Sequence, residues 1–281
     1  MVALIGWSCA VAAQDRPPPA PEPELNPIAP PTAPPSRSDV SRVRSSTRLL
    51  VGAGLTGGDL TFTSDSFNVE ADLGSLNAVT VGVQAWPEEF AGVELTYQIG
   101  LLGELAVPQL EVQEGDAALT LASHRLEGGF LYRWFSGPRV DAVSVGLRVG
   151  FTLHNLTVSD HSPSVALTTT WFGPGLGPFL SLPFSGGDLG VDLRADLIAP
   201  FYVRESPQRS GAPRGAIAGH AGLHPWLRLG ERFYGGVRLD LHRYRAHFDG
   251  PGNRWYGDIE GGEKRHAFWS AVVALEWLAS E

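Results

Sequence analysis

The stretch that decides the fold is residues 265–278, which read Arg-His-Ala-Phe-Trp-Ser-Ala-Val-Val-Ala-Leu-Glu-Trp-Leu. Successive side chains of a β-strand point to opposite faces. One face here is therefore apolar with a tryptophan at each end: Trp269, Ala271, Val273, Leu275 and Trp277. This pattern is typical of a strand that crosses a bilayer, because the indole NH seeks the polar interface while the ring stays in hydrocarbon. A soluble strand with one buried face alternates in the same way, so one strand does not decide the matter.

The same alternation recurs along residues 47–281. Four further segments separate into an apolar face and a face of polar residues and glycines: residues 92–101, 143–152, 191–199 and 237–242. Counting the less regular segments between them, we predict about ten strands, within a range of eight to twelve. An even number of antiparallel strands places both chain termini at the same end.

The connections between these strands are of two kinds. Four are tight turns: Pro87–Phe90, Ser136–Arg139, Ser185–Asp188 and Gly230–Arg232. The others are longer polar stretches, near residues 57–76, 103–116, 157–164, 205–214 and 249–264. Short turns at one end and long loops at the other are typical of transmembrane β-barrels.

Aromatic residues predict where such a barrel would meet the two membrane interfaces. Trp134 and Trp277 lie near the tight-turn end, whereas Trp269 lies one strand-length away with Tyr244 and other aromatics. We interpret these residues as two aromatic girdles. A lipocalin-type barrel, apolar inside and polar outside, would alternate in the opposite sense. The paired girdles, an export signal and the many charges on one face favour the membrane.

Over residues 47–281 the chain resembles the small bacterial outer-membrane β-barrel proteins, without matching a specific subfamily. The resemblance implies an all-β fold: a single antiparallel transmembrane barrel with short periplasmic turns and longer extracellular loops. It also implies an outer-membrane location and contact with outer-membrane lipid, lipopolysaccharide and the barrel-assembly machinery. The chain departs from this pattern at its end, because Trp277 is followed by Leu-Ala-Ser-Glu whereas such strands usually finish on an aromatic residue.

The N-terminal region divides into two predicted segments. Residues 1–13 contain an apolar core and small residues up to Ala13, which indicates a signal peptide, although a positively charged start is missing. Cleavage there would remove Cys9, the only cysteine, and with it any disulfide or thiolate metal site. Residues 14–46 are rich in proline and favour an extended, disordered periplasmic arm. That arm is either a spacer or a tether to a periplasmic protein partner.

Composition narrows the function further. The net charge of −9 argues against a nucleic-acid partner. No run of 18 apolar residues occurs, so no transmembrane helix is expected. Residues 52–57 fit the spacing of a dinucleotide-binding fingerprint, but no helical pattern follows to hold a pyrophosphate. We therefore expect glycines on a barrel strand, and no cofactor.

The most specific chemical prediction concerns the hairpin at Gly230–Arg232. A three-residue turn there fixes a register in which His220 faces His242, with Asp240 diagonally adjacent, all pointing inward. Two imidazoles and a carboxylate could bind a metal or perform acid–base chemistry. No nucleophile accompanies them in this hairpin and two histidines are few for zinc, so membership of a polar lumen network is the simpler interpretation. No metal site is predicted.

The remaining inward charges carry both signs, which predicts mutual neutralisation inside a narrow lumen. The predicted network comprises Glu94, Arg125, Glu127, Arg148, Asp192, Arg194, Asp196, Arg238 and Asp240. The turn at Ser136–Arg139 predicts that Glu127 pairs with Arg148. The later loops are predicted to be basic, and this basic half is either a solvated rim or a surface that touches lipopolysaccharide phosphates. Its residues are Arg204, Arg209, Arg214, Arg243, Arg245, Arg254 and Lys264.

Three functions fit these features. The first is a non-enzymatic outer-membrane protein, either a narrow channel or a structural barrel. The second is the outer-membrane component of an envelope-spanning complex for motility, secretion or export, contacted through the arm. The third is an outer-membrane hydrolase that works at the mouth of the lumen.

Overall fold

The computed structural model describes residues 46–65, 68–106, 119–159, 166–253 and 260–279. These residues form eleven β-strands: β1 (Thr47–Thr63), β2 (Asn68–Ala85), β3 (Ala91–Ala106), β4 (Leu119–Phe135), β5 (Ser144–Val158), β6 (Thr168–Phe184), β7 (Leu189–Ile198), β8 (Tyr202–Ser206), β9 (Ala212–Arg228), β10 (Phe233–Pro251) and β11 (Glu260–Ala279). The predicted signal peptide (1–13) and nearly all of the predicted arm (14–46) lie outside the described residues.

The strands close into an antiparallel barrel. Strands β1 to β7 pair in order, β7 also pairs with β9, β9 to β11 pair in order, and β1 pairs with β11 from Thr47 opposite Ala279 to Thr63 opposite Glu263. Strands β7 and β8 both pair with β6, so they share one position and the wall has ten positions. The predicted fold class and strand number are confirmed. No helix in the described part of the chain is long and apolar enough to span a membrane.

The strands are longer than predicted, so one predicted loop is mostly strand and another is strand at both of its ends. β1 runs to Thr63 and β2 begins at Asn68, within the loop predicted near 57–76. β10 runs to Pro251 and β11 begins at Glu260, at both sides of the loop predicted near 249–264. The 19 residues of β10, tilted by about 40°, rise about 48 Å, roughly twice the height of a barrel's apolar band.

Near the short turns the outer surface is apolar. Leu, Val and aromatic side chains are exposed on every wall position, among them Val51, Val81, Leu95, Val149, Leu197, Leu241 and Val273. Their neighbours in sequence point inward, as Val272 and Ala274 do beside Val273. Trp134, Trp269 and Trp277 all lie on this outer surface, between 40% and 50% exposed. A continuous exposed apolar band is stable against hydrocarbon rather than water, so this half has the face assignment of a membrane barrel.

Toward the long loops the two faces exchange character. On β1 the outward series Leu49, Val51 and Leu55 gives way to Asp59 and Thr63, all exposed. The inward residues there are apolar and pack into a core that includes Leu60, Phe62, Val69, Leu73, Leu121, Leu156, Trp171, Val203, Tyr244 and Phe248. Tyr244, predicted to join the outer girdle, is therefore inside. This half has the apolar-inside arrangement of a soluble barrel, because its surroundings have changed from lipid to water.

The glycines of residues 52–57 serve strand packing. A Cβ at Gly54 would lie 2.0 Å from the carbonyl oxygen of Ala271 on β11, and one at Gly52 would lie 2.5 Å from Cγ1 of Val272. The segment lies within β1, and the next element in the described part of the chain is strand β2. The expectation of barrel glycines rather than a dinucleotide site agrees with this placement.

The assignment of faces predicts opposite effects of arginine at two adjacent positions. Val145 is 50% exposed on the apolar band, so Val145→Arg should lower the free energy of unfolding by about 2–4 kcal/mol. Ser144 lines an internal cavity, so Ser144→Arg should cost much less. Urea titration of both variants in detergent micelles measures the difference. Equal costs would show that the outer face has been misassigned.

Candidate functional site: a charged layer inside the barrel

A layer of charged side chains fills the lumen inside the apolar band. It combines arginines and carboxylates from most wall strands: Arg48, Arg125, Arg133, Arg148, Arg194 and Arg238 with Glu94, Glu127, Asp192, Asp196, Asp240 and Glu276. Each sits at an inward position of a strand whose next residue faces outward. All nine residues of the predicted network lie in this layer. Arg228 lies outside this layer, at the rim of the barrel, 3.7 Å from Asp188.

Arg194 on β7 is the centre of this layer. Its Nη2 lies 3.0 Å from Oε2 of Glu127, its Nη1 lies 3.2 Å from Oε1 of Glu94, and its Nε donates to Asp196. The guanidinium therefore serves three carboxylates from three strands. A planar guanidinium suits this role, because its five N–H donors point in fixed directions.

The predicted pairing of Glu127 with Arg148 is wrong. In the register of β4 and β5, Glu127 lies opposite Thr152 and Arg148 lies opposite Leu131. The connection spans residues 136–143 and is closed by a bond from the Ser136 amide to the Val143 carbonyl, so it is longer than the predicted turn. Arg148 instead donates to Glu94 and, through Nη2 at 3.0 Å, to the carbonyl oxygen of Gly128.

The register of the other hairpin is as predicted, with His220 directly opposite His242. The Nδ1 atom of His220 lies 3.0 Å from Oδ2 of Asp196, and its Nε2 lies 3.0 Å from Oδ1 of Asp240. Both contacts are hydrogen bonds only when both nitrogens carry protons. The ring is thus held as a cation between two carboxylates, which leaves no free nitrogen to act as a general base.

The same pair of imidazoles is poorly arranged for a metal. The rings of His220 and His242 stack with centroids 4.2 Å apart and planes 13° apart. Nitrogen lone pairs lie in the ring plane, so nearly parallel stacked rings cannot both reach one ion at about 2.1 Å. Asp240 lies close to both histidines, but one imidazole would have to turn before His220, Asp240 and His242 could bind the same ion.

A layer of histidine and aromatic side chains lies above the charges, and it contains sites that the sequence did not reveal. His154 Nε2 lies 3.1 Å from the hydroxyl of Ser123, and its ring packs edge-on against Phe268. The predicted strand ended at residue 152, so His154 was not assigned to a face. The continued alternation of β5 past Thr152 was the signal that could have found it.

The only lysine of the chain forms a second unforeseen site. Lys264 was assigned to a loop, but it is buried inside the barrel with Nζ 2.8 Å from Oε1 of Glu205 on β8. It also donates to the hydroxyl of Thr169. Because β9 and β10 separate β8 from β11, this ion pair crosses the lumen. Lys264 precedes the predicted strand by one position. It points to the same inward face as His266 and Phe268.

At the short-turn end the charged layer borders an open cavity of about 170 Å³. Its walls include Arg48, Trp86, Ser144, Ser181, His224 and Arg238. Glu94, Arg194, His220 and Asp240 also line it, so the charged layer forms its inner side. The described lumen is thus polar and hollow near the short turns and packed with apolar side chains near the long loops.

Known structures with a similar fold are membrane barrels. The outer membrane protease OmpT from Escherichia coli superposes with a TM-score of 0.55 and 8% sequence identity, covering 84% of this chain and 97% of that one. The fold is that of a bacterial outer-membrane β-barrel. The outer membrane protein OprG from Pseudomonas aeruginosa also aligns, with a TM-score of 0.40 and 10% identity over 84% of this chain and 98% of that one.

Sequence comparison identifies no closer group. No protein-family model matches the chain, and no curated protein matches it. The resemblance to outer-membrane β-barrel proteins predicted from alternation is therefore confirmed at the level of architecture, without a subfamily.

The arrangement around Arg194 predicts a large loss of stability when its charge is removed. Arg194→Ala would leave three carboxylates without this cation in a low-dielectric lumen and should lower the free energy of unfolding by about 3–5 kcal/mol. Arg228→Ala is the control, because its side chain is 41% exposed and its effect should stay below about 1 kcal/mol. Denaturant unfolding in micelles compares them, and similar losses would contradict the central role of Arg194.

Proposed function

We propose that this chain is a non-enzymatic barrel of the bacterial outer membrane whose lumen is closed, so that its role is structural rather than that of a channel. The observation that carries the proposal is the filling of the lumen at two successive levels. The charged layer occupies the part inside the apolar band, and the apolar core around Phe62, Leu121 and Leu156 occupies the part beyond it. A solute would have to displace both.

The outer-membrane location rests on two features. The apolar band with tryptophans at both borders is the surface that a barrel presents to lipid. The fold matches barrels of that membrane. By the usual orientation of such barrels, the short turns face the periplasm and the long loops face outward. The arm that would support an envelope-spanning complex lies outside the described residues.

An enzymatic role has less support. OmpT is named as a protease, but likeness at 8% identity carries the fold and not the chemistry. In this chain His220 is clamped by two carboxylates, and His154, which contacts Ser123, is buried beneath packed aromatic rings. Neither histidine has both a free nitrogen next to a nucleophile and an open route for a substrate.

The closed lumen predicts that the barrel does not conduct. In planar bilayers the purified protein should give no steady ionic current at salt concentrations at which a general porin is open. The double variant Glu127→Ala with Arg148→Ala should also stay closed, because the apolar core beyond the charged layer remains in place. Large, steady steps from the unmodified protein would contradict the proposal and favour a solute channel.

A basic stripe on the outer surface supports contact with lipopolysaccharide. Arg243 and Arg245 follow Leu241 on the outward face of β10, about 5 and 10 Å beyond the apolar band at a tilt of about 40°. Arg265 lies directly opposite Arg245 in the register. Like charges that face each other across strands are destabilising unless anions compensate. Glu263, 2.7 Å from Arg245, supplies one anion, and lipid phosphates would supply more.

Removing this stripe should weaken binding of lipopolysaccharide. Each arginine near a charged lipid surface contributes about 1 kcal/mol, so Arg243→Ala with Arg245→Ala should lower the affinity roughly thirtyfold at low salt. Arg139→Ala is the matched control, because its exposed side chain lies at the opposite end of the barrel. Co-purified lipopolysaccharide and surface plasmon resonance report the change. Unaltered binding in the double variant would remove the stripe from the proposal.

A further inference from the structure

The cavity at the short-turn end contains an arginine that forms no ion pair with the described residues. Arg238 points inward from β10 and lines the cavity. Each other arginine of the charged layer has a partner; for instance, Arg48 lies 3.7 Å from Glu276, and Arg133 lies 3.6 Å above the ring of Trp86. Among the described residues, no carboxylate oxygen lies within 4.0 Å of the Arg238 guanidinium. The charge of Asp240, two positions along the strand, acts on Arg238 from beyond that distance, while its Oδ1 lies 3.0 Å from His220.

A histidine lies across from this arginine in the register. The pairs Gly236–Trp226 and Leu239–Leu223 flank a gap in the ladder, so Arg238 stands across from His224 on β9. Nε2 of His224 lies 2.6 Å from where a Cβ of Gly236 would be, which places that nitrogen on the same inward wall. It is buried and has no hydrogen-bond partner among the described residues. That nitrogen is packed beside Gly236 and does not open into the hollow, while Nδ1 of the same ring lies 3.7 Å from Glu276, so Arg238 is left as the unpaired donor at the cavity.

Such groups are costly to leave unmatched. An ionised side chain at membrane depth is expensive unless water or an opposite charge compensates it, and it marks a functional site by default. Ser144 and Ser181 line the same hollow, where the hydroxyl of Ser181 donates to Asp192. The guanidinium of Arg238 with the hydroxyl of Ser144 matches a carboxylate, which accepts two parallel bonds from an arginine.

We infer that this cavity is a binding site for a small organic carboxylate, with Arg238 as the group that takes its charge. The size fits, because a cavity of about 150 Å³ holds benzene and this one measures about 170 Å³. The ligand would therefore have fewer than about ten non-hydrogen atoms. It would enter from the compartment that the short turns face. The inference goes beyond the proposed function, because a barrel with a closed lumen can exist either with or without a ligand site in this cavity.

Calorimetric titration of the full-length barrel in micelles tests this site. Propionate is the probe, propionamide is its neutral counterpart, and inorganic phosphate tests whether any anion suffices. Saturable binding of propionate, but not of propionamide, is expected. Arg238→Gln should weaken it at least about tenfold, since charge-assisted hydrogen bonds are lost. Arg139→Gln, at an exposed site outside the cavity, should leave it unchanged.

Two further variants separate binding from folding. Ser144→Leu keeps the charge of Arg238 but fills part of the cavity, and it should also abolish binding. Arg238→Lys keeps the charge and loses the planar fork, so it should bind with intermediate affinity. Heat-dependent migration in SDS gels verifies that each variant is folded. Absence of propionate binding to the unmodified barrel, equal binding of propionamide, stronger binding of phosphate, or full binding by folded Arg238→Gln would each overturn the inference.

Discussion

The structure depends on one constraint: each strand passes from hydrocarbon into water while its backbone must stay hydrogen-bonded throughout. In lipid only a closed sheet meets that condition, and pairing of β1 with β11 closes it. The polarity of the outward and inward side chains then changes along each strand with the solvent outside. On β10 the outward residue changes from Leu241 to Arg243, and the inward residue changes from Asp240 to Phe248. One strand thus carries a membrane face and a soluble-barrel face in succession.

The interior follows from the same change of solvent. Where the outside is apolar the inside carries charges, and charges in a low-dielectric lumen must be matched. Arg194 matches three carboxylates at once, and His220 joins Asp196 to Asp240. Where the outside is polar, the apolar side chains have only the interior in which to pack. The two kinds of filling together close the lumen, and Arg238 remains the exception beside the cavity.

The sequence was sufficient for the architecture because alternation is clear in five segments, and tight turns and longer loops separate these from the less regular ones. It also placed His220 opposite His242, because a three-residue turn leaves one register. It failed for Glu127 and Arg148, because the longer connection at 136–143 does not fix the pairing. It also shortened the strands. Beyond the apolar band the outward residues are polar, so the sequence there was interpreted as loop. Lys264 and His154 lie inside these parts of the strands, and their inward positions were therefore missed. Contacts across the lumen, such as Lys264 to Glu205, depend on barrel geometry that no local pattern contains.

The exchange of faces is tested most directly by spin labels placed along the outward face of β10. Cys9, the single cysteine of the chain, is first replaced by serine. One new cysteine at a time then carries the nitroxide, at Val237, Leu239, Leu241, Arg243, Arg245 or His247. Collision with oxygen reports lipid, and collision with a water-soluble nickel chelate reports water. We predict oxygen-dominated accessibility through Leu241 and a change to chelate-dominated accessibility from Arg243 onward. Lipid-like accessibility along the whole series, or water-like accessibility at Val237 and Leu239, would contradict the account.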